Sequence, residues 1–178
     1  MAMSSNVNIL ITGLPGVGKT TLIKRLAEEL QRFGPVGFYT EELRRAGVRT
    51  GFALRSFDGR DGVLASVDFP GRHRVGKYGV DVAGFELFLD ALNFDEAGAR
   101  LFIIDEIGKM ECVSRRFQAL TRKIIDSDRL LIATIAQHGG GLVEEIKRRK
   151  DVRIYTLTAQ NRDGMLEAIL TEAELLHA

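Results

Sequence analysis

The sequence from Val7 to Thr20 reads VNILITGLPGVGKT and decides which fold to expect. Its first part, VNILIT, is an almost unbroken apolar run of strand length, which is typical of a strand covered on both faces in a parallel sheet. Its second part, GLPGVGKT, matches G-x-x-x-x-G-K-[ST], the Walker A pattern. Glycines in such a loop let backbone N–H groups turn inward around phosphate oxygens. The stretch therefore predicts a phosphate-binding loop between a buried strand and a helix.

The polar residues of this loop have specific predicted roles. Lys19 is expected to reach the β- and γ-phosphates, and the hydroxyl of Thr20 to bind Mg²⁺. An amphipathic helix is expected from Thr21 to Phe33, where leucines recur every four residues, and the positive end of its dipole favours phosphate. The predicted nucleotide contacts in this region are Gly13, Leu14, Pro15, Gly16, Val17, Gly18, Lys19, Thr20 and Thr21.

A second decisive stretch is Leu101 to Glu106, LFIIDE, where two carboxylates follow an apolar run. A carboxylate at the C-terminal end of a buried strand beside a phosphate loop can hold Mg²⁺, directly or through water. Asp105 is therefore the predicted metal residue, together with Thr20. Glu106 is the predicted general base that polarises the attacking water. Lys19, Asp105 and Glu106 are thus the expected catalytic residues.

The same acidic stretch allows a second interpretation. Asp105 to Gly108, DEIG, also fits the D-x-x-G element of switch-type GTPases. Those proteins also need an N-K-x-D element for guanine, and the closest run here, Asn161 to Asp163, lacks both the lysine and the spacing. A glutamate directly after the metal aspartate also favours built-in hydrolysis over a switch that waits for an activator. The GTPase hypothesis ranks lower but stays open.

The rest of the chain alternates between strand and helix patterns, which predicts an α/β fold with a mostly parallel, doubly wound sheet. Val36 to Val82 differs, because it is rich in glycine, charge and short β-like runs. With turn signals at Asp58-Gly59 and Asp61-Gly62, it predicts an antiparallel β insertion. We expect one domain over residues 1–178, with 36–82 as the insertion and 1–5 as a disordered leader.

Local signals predict details of two later helices. Ser114 stands before a helical pattern as its expected N-cap. Two charge pairs at i,i+4 spacing, Glu144/Arg148 and Glu145/Arg149, are expected to stabilise the helix that contains them.

Composition limits the classes of function. The chain has 178 residues, a formal net charge of +1 and one cysteine, Cys112. A charge near zero does not point to nucleic acid or an anionic membrane as partner, and no apolar run approaches the roughly 20 residues that span a bilayer. A single cysteine excludes an internal disulfide and suits a reducing compartment. We expect a cytoplasmic monomer whose partner is a nucleotide, without a nucleic-acid or membrane partner.

Several other polar residues could complete the site. Thr134 ends the strand after the acidic one and could touch the attacking water or the γ-phosphate, although a plain strand-end threonine is an equal alternative. Lys109 and Arg162 could each supply the charge of an arginine finger, or Asn161 and Arg162 could flank the base. Thr40 to Glu42 could face the site from the second strand or be solvated on an edge strand.

Six segments occur together, in this order and spacing, in one known family. They are GLPGVGKTTLIKRL, GFYTEELR (Gly37 to Arg44), VGKYGVD (Val75 to Asp81), IDEIGKME (Ile104 to Glu111), LVEEIKRRKDV (Leu142 to Val152) and NRD (Asn161 to Asp163). The chain from Val7 onward resembles the small nucleoside-triphosphatases first described from thermophiles, whose human member is called cancer-related nucleoside-triphosphatase. Ala136 to Gly141, AQHGGG, departs from the familiar pattern.

The resemblance implies a P-loop NTPase fold like the core of RecA-type recombination ATPases and nucleotide kinases. It also implies slow, Mg²⁺-dependent hydrolysis of the β–γ bond of ATP, GTP and other NTPs with low base selectivity. Nucleotide contacts are implied at Gly13 to Thr20 and around Leu101 to Gly108. The expected contacts outside the loop are Ile104, Asp105, Glu106, Ile107, Gly108 and Arg162.

Two other functions stay open. One is a nucleotide or small-molecule kinase whose acceptor is held by the basic cluster from Arg72 to Lys77, although that cluster is more simply a solvated loop. The other is a non-catalytic, nucleotide-dependent switch that binds a protein or nucleic acid.

Overall fold

The strands of this chain pair into one continuous sheet. The computed structural model describes residues 7–95 and 98–177, so the predicted leader at 1–5 lies outside the described residues. The strands are β1 (Asn8–Thr12), β2 (Val36–Arg45), β3 (Val48–Ser56), β4 (Asp61–Ser66), β5 (Arg74–Val75), β6 (Tyr78–Val80), β7 (Leu101–Ile107), β8 (Leu130–Ile135) and β9 (Val152–Thr156). Their order across the nine-stranded sheet is β5-β6-β4-β3-β2-β7-β8-β1-β9.

Helices cover both faces of the parallel part of this sheet. They are α1 (Lys19–Glu29), α2 (Val82–Ala91), α3 (Arg115–Ile125), α4 (Leu142–Lys147) and α5 (Arg162–His177), with short 3₁₀ turns at Gln31–Phe33 and Glu111–Val113. Alternate residues of β1 enter different cores: Leu10 packs with α2, α3 and α4, whereas Ile9 and Ile11 pack with α1 and α5. The doubly wound arrangement predicted from the apolar runs is confirmed.

Strand β2 belongs to two kinds of pairing. Its beginning runs parallel to β7, with Val36 opposite Phe102 and Phe38 opposite Ile104. From Phe38 to Arg45 the strand pairs with β3 in antiparallel register, and β4, β6 and β5 continue that antiparallel half. The predicted antiparallel insertion is therefore present, but its first strand is also a strand of the parallel core.

A close backbone approach fixes β2 against β7. Gly37 has φ 153°, and a Cβ at this position would lie 1.7 Å from the carbonyl oxygen of Ile103. The next residue, Phe38, is fully buried and makes edge-to-face contacts with Phe85 and Phe88 at centroid distances of 5.8 Å. Glycine at 37 thus lets the strands meet, and Phe38 anchors β2 in the core below α2.

Three local predictions have clear outcomes. Ser114 is the N-cap of α3, because its Oγ accepts a hydrogen bond from the amide of Phe117 at 3.0 Å. The predicted turn at Asp61-Gly62 is wrong, since both residues begin β4 and the chain turns before them, at Asp58-Gly59. The two charge pairs expected in α4 are also wrong: the helix ends at Lys147, and among the described residues no ion pair joins Glu144 to Arg148 or Glu145 to Arg149.

Each member of the expected pair Glu145/Arg149 has a tertiary partner instead. Glu145 accepts two hydrogen bonds from Arg122 of α3, at 2.8 Å and 2.7 Å. Arg149 binds Asp126 and Asp151. Arg149 lies beyond the end of α4, so it does not share a helix face with Glu145. An arginine that makes two hydrogen bonds to one carboxylate, or that binds two carboxylates, is held more strongly than in a single helical pair.

Candidate active site

The glycine loop between β1 and α1 leaves open space above its backbone. Gly16 and Gly18 have φ angles of 76° and 108°, in the left-handed region, and a Cβ at either position would have no atom within 4 Å. Gly18 is also the N-cap residue of α1, where no side chain accepts a hydrogen bond from the first turn. Backbone N–H groups at this helix end are therefore available to an anion.

Lys19 lies across the same loop. Its Nζ donates hydrogen bonds to the carbonyl oxygens of Gly13 at 2.8 Å and Leu14 at 3.1 Å. The ammonium is thereby held at the loop rather than extended into solvent, which places a positive charge beside the open amides.

Asp105 joins the loop to the acidic strand. Its Oδ2 accepts a hydrogen bond from Thr20 at 2.7 Å, and its Oδ1 accepts one from Thr134 at 2.6 Å. Asp105 is only 2% exposed, and Thr134 is fully buried. Thr134 lies on β8, between β1 and β7, and its hydroxyl contacts the aspartate on β7. A contact of Thr134 with the attacking water or the γ-phosphate stays a prediction.

A cleft of about 460 Å³ opens beside these residues. It is lined by Pro15, Gly16, Gly18, Lys19, Thr20, Thr21, Thr40, Glu41, Glu42, Phe52 and Glu106. The predicted base therefore shares one cleft with the phosphate loop. Thr40 to Glu42 also line this cleft. This part of β2 pairs with β3 but not with β7, and Glu42 is exposed, so the alternative of a solvated strand edge stays open.

The two glutamates of β2 are each neutralised by two cations. Glu41 forms ion pairs with Lys24 of α1 at 3.4 Å and with Arg55 of β3 at 3.2 Å. Glu42 forms ion pairs with Arg44 and Arg49. The hydrogen bonds that its carboxyl group accepts from Arg49 and Arg44 lower the pKa of that group. The cleft wall opposite the phosphate loop is therefore polar without a large excess of negative charge.

Glu106 has the electrostatic setting of a general base. Burial raises the pKa of its carboxyl group, the charge of Asp105 raises it further, and Lys19 opposes both effects. The peptide bond between Asp105 and Glu106 is cis, and the register of β7 against β8 shifts between Ile104 and Ile107. A carboxylate with a raised pKa accepts a proton more readily than an ordinary surface carboxylate.

A third carboxyl group, which the sequence did not single out, lies close to Glu106. Glu111 begins the 3₁₀ turn after β7 and is only 6% exposed. Burial raises the pKa of Glu111 to about 8, and the charge of Glu106 contributes to the shift. Nothing in the sequence separates this residue from ordinary loop glutamates, because its burial depends on the tertiary fold.

Arg162 lies on the other side of the loop. It lines a second cleft of about 270 Å³ together with Val17, Gly18, Thr21, Leu22, Arg25, Leu157 and Asp163. This cleft is on the β9 side of β1, whereas Glu106 is on the β2 side. Of the two suggested roles for Arg162, this position favours flanking the base over an arginine finger, and both stay predictions.

The other sequence candidates are placed less favourably. The side chain of Asn161 binds its own loop, accepting from the amide of Thr158 and donating to the carbonyl of Thr156, both at 2.8 Å. Lys109 is exposed and lines neither cleft. Ile104 and Ile107 are fully buried in the apolar core, so their side chains do not face the cleft.

The burial of Cys112 also bears on the expected chemistry. Burial raises the pKa of its thiol to about 12, and the neighbouring Glu111 adds to the shift. A thiol in this setting is a poor nucleophile. Among the described residues, no helix is both long and apolar enough to cross a bilayer.

A parallel sheet whose first strand enters a glycine loop, with a buried aspartate bonded to the threonine of that loop, defines a P-loop NTPase fold. The comparisons with known proteins agree. The family model described as NTPase matches residues 8–170. This chain belongs to that NTPase family.

Individual relatives cover nearly the whole chain. It is 48% identical to the nucleoside-triphosphatase THEP1 of Thermotoga sp. (strain RQ2), over 93% of this chain and 94% of the relative. It is 42% identical to the human cancer-related nucleoside-triphosphatase, over 92% of this chain and 95% of that protein. The crystal structure of THEP1 from the hyperthermophile Aquifex aeolicus superposes with a TM-score of 0.82 at 40% identity, covering 93% and 98% of the two chains. The family resemblance and the fold predicted from the sequence are confirmed.

Proposed function

We propose that this chain hydrolyses the β–γ bond of ATP, GTP and other NTPs, giving NDP and phosphate, with Mg²⁺ and with low base selectivity. One observation carries the proposal. The hydrogen bond between Thr20 and Asp105 joins the phosphate loop to the acidic strand, and Glu106, the next residue, lines the same cleft as the loop. The relatives are named nucleoside-triphosphatases, which supports the same activity.

The donor atoms around Asp105 suit Mg²⁺. This ion prefers hard oxygen ligands and retains several waters, so it needs one or two protein oxygens beside the substrate phosphates. Asp105 and Thr20 present a carboxylate and a hydroxyl 2.7 Å apart at the end of the loop. We propose that these two residues hold the ion, which supplies charge neutralisation to the phosphate oxygens when bound.

Residues of this chain would bind the phosphates, stabilise the developing charge and accept the proton. The open amides of the loop and the ammonium of Lys19 bind the phosphates and stabilise the charge that develops on them. Glu106 accepts a proton from the attacking water, whose oxygen bonds to the γ-phosphorus. The bond from that phosphorus to the β–γ bridging oxygen then breaks, and the NDP leaves with the bridging oxygen.

Glu106→Gln tests the proposal. The amide keeps the size of the side chain but cannot take up the proton, so we expect nucleotide affinity to be retained and kcat to fall by about 10²-fold or more. Steady-state phosphate release and equilibrium binding of ATP measure the two quantities. Glu29→Gln, an exposed change on α1, is the matched control. An unchanged kcat in Glu106→Gln would remove this residue from the mechanism.

No described contact favours the kinase hypothesis. The segment from Arg72 to Lys77 lines neither of the two clefts beside the loop, so these clefts do not support it as the holder of an acceptor. The switch hypothesis predicts negligible turnover without a partner, which the phosphate-release measurement also tests. A monomeric state and a cytoplasmic location stay predictions.

A further inference from the structure

A buried carboxyl group next to Glu106 has no part in the mechanism given above. We propose that Glu111 is a positioning residue for hydrolysis: its carboxyl group borders the same space over Gly108 as that of Glu106 and holds the base in its orientation toward the phosphate loop. The inference rests on the proposed function, because it concerns the base of that reaction.

Gly108 shows how closely the two side chains approach. A Cβ built on this residue would lie 2.8 Å from Oε1 of Glu106 and 3.0 Å from Oε2 of Glu111. Both carboxyl groups therefore border the same small space beside the Gly108 backbone, and any side chain at this position would displace them. The φ angle of Gly108 is not in the left-handed region, so the backbone conformation alone does not require glycine here. A Cβ could be admitted only if the two carboxyl groups shifted.

Burial determines the form in which Glu111 acts. Among the described residues it takes part in no ion pair, and its nearest charged neighbours include Glu106 and Asp105. An unpaired charge is costly in the interior, so the neutral acid is favoured. A neutral carboxyl group can donate its O–H to a carboxylate, which an ionised one cannot do. Glu111 is thus suited to restrain an ionised Glu106 rather than to repel it.

The position of Glu111 in the chain suits this role. It is fixed by the 3₁₀ turn that follows β7, where its carbonyl accepts from the amide of Ser114 at 3.1 Å and Ser114 in turn caps α3. Burial and the charge of Glu106 have the larger effect on the carboxyl group of Glu111 and raise its pKa, although the backbone of Gly108 and of Glu111 itself favours the ionised form. Glu106 is only half-buried at the end of β7, whereas Glu111 is buried in the turn that follows this strand.

A purely structural role for Glu111 would also explain its burial, so the experiment must separate the two. Glu111→Gln keeps the size and a hydrogen-bond donor, whereas Glu111→Met keeps the size and removes every donor. Each change is made in the parent chain and in the Glu106→Gln background. For all variants kcat, KM for ATP at saturating Mg²⁺ and Tm are measured. Glu86→Gln is the control, because Glu86 lies on α2 and accepts a hydrogen bond from Ser114, the residue that follows the 3₁₀ turn.

If Glu111 acts through Glu106, Glu111→Met lowers kcat roughly 10-fold while KM changes less than about 2-fold, because a misplaced base slows chemistry and not binding. Glu111→Gln restores most of the lost rate. In the Glu106→Gln background, Glu111→Met causes no further loss of kcat, since the group that it orients is already absent. The control Glu86→Gln retains the parent kcat.

Three outcomes would overturn the proposal: an equal loss of kcat in both backgrounds, a Gln variant as slow as the Met variant, or a rise in KM with kcat unchanged. If Glu111→Met does not fold, Gly108→Ala replaces it, because the added Cβ displaces both carboxyl groups and should slow only chains that retain Glu106. Failure of the proposed function is distinguishable, because Glu106→Gln would then match the parent rate.

Discussion

At the scale of single residues, the carboxylate of Asp105 depends on two hydroxyl groups for its orientation. Thr20 comes from the phosphate loop, and Thr134 comes from the strand that separates the loop strand from the acidic strand. A fully buried threonine that donates to a metal-binding carboxylate fixes both its rotamer and the direction of its free lone pairs. Thr134 therefore affects the proposed metal without touching it.

Thr134→Val tests that indirect role. Valine has nearly the same shape but no hydroxyl, so Asp105 loses one hydrogen bond in a buried site. We expect the Mg²⁺ concentration for half-maximal turnover to rise about 10-fold, the lower end of the effect of removing such a partner. Thr134→Ser, which keeps the hydroxyl, should stay near the parent value. An identical Mg²⁺ dependence in the valine variant would contradict the role.

The thiol of Cys112 gives a second prediction at this scale. Because burial raises its pKa to about 12, the thiolate fraction at pH 8 is very small. We expect iodoacetamide to leave the folded protein unlabelled at pH 8 over a time in which the urea-unfolded chain reacts fully, as measured by mass spectrometry. Rapid labelling of the folded chain would show that the thiol is more accessible than its setting indicates.

At the scale of elements, β2 is the strand that joins the parallel half of the sheet to the antiparallel half. Its first residues pair with β7, its last residues form a long hairpin with β3, and Thr40 to Glu42 line the cleft between those regions. Gly37 is the point of closest approach to the core.

Gly37→Ala should therefore be strongly destabilising. A methyl group at this position would overlap the carbonyl oxygen of Ile103, which is backbone and cannot rotate away, and the φ of 153° also disfavours a side chain. We expect the free energy of unfolding in urea to fall by about 3 kcal/mol or more. Gly71→Ala is the matched control, since a Cβ there would have no atom within 4 Å. Equal stability of the two variants would refute the argument.

Sequence patterns predicted most elements because the signals for them are local. The phosphate loop, the buried run LFIIDE and the cap at Ser114 each require only neighbouring residues to be recognised. The double pairing of β2 and the partners of Glu145 could not be predicted, because both depend on strands and helices that are distant in sequence. The burial of Glu111 also depends on contacts that are distant in sequence. The sequence therefore indicated Glu106 as the proposed base but did not indicate that Glu111 lies close to it.

At the scale of the whole molecule, a buried acid couples stability to pH. Glu111 has a pKa of about 8 in the folded chain, against an ordinary value of 4.5. Between these values the folded state retains a proton that the unfolded state has lost, so the free energy of unfolding falls as pH rises. Carboxyl groups with lowered pKa values, such as those of Glu42 and Glu145, are already ionised in both states above about pH 5. They do not obscure the effect.

We therefore expect Glu111→Gln to be more stable than the parent at pH 8.5, by on the order of 1 to 3 kcal/mol, and to lose this advantage toward pH 5. Urea unfolding without Mg²⁺ or nucleotide, at several pH values, measures the difference. Glu86→Gln serves again as the control and should show no such trend. A difference between Glu111→Gln and the parent that stays constant with pH would show that the folded state does not hold this proton.

The place where β2 parts from β7 has a mechanical consequence. Pairing between these strands ends at Phe38, whereas Thr40 to Glu42 line the cleft from a part of β2 that only β3 holds. The hairpin of β2 and β3 can therefore bend toward or away from the phosphate loop without breaking the ladder between β2 and β7. Such bending would change the width of the cleft while the strand that carries Asp105 and Glu106 keeps its place.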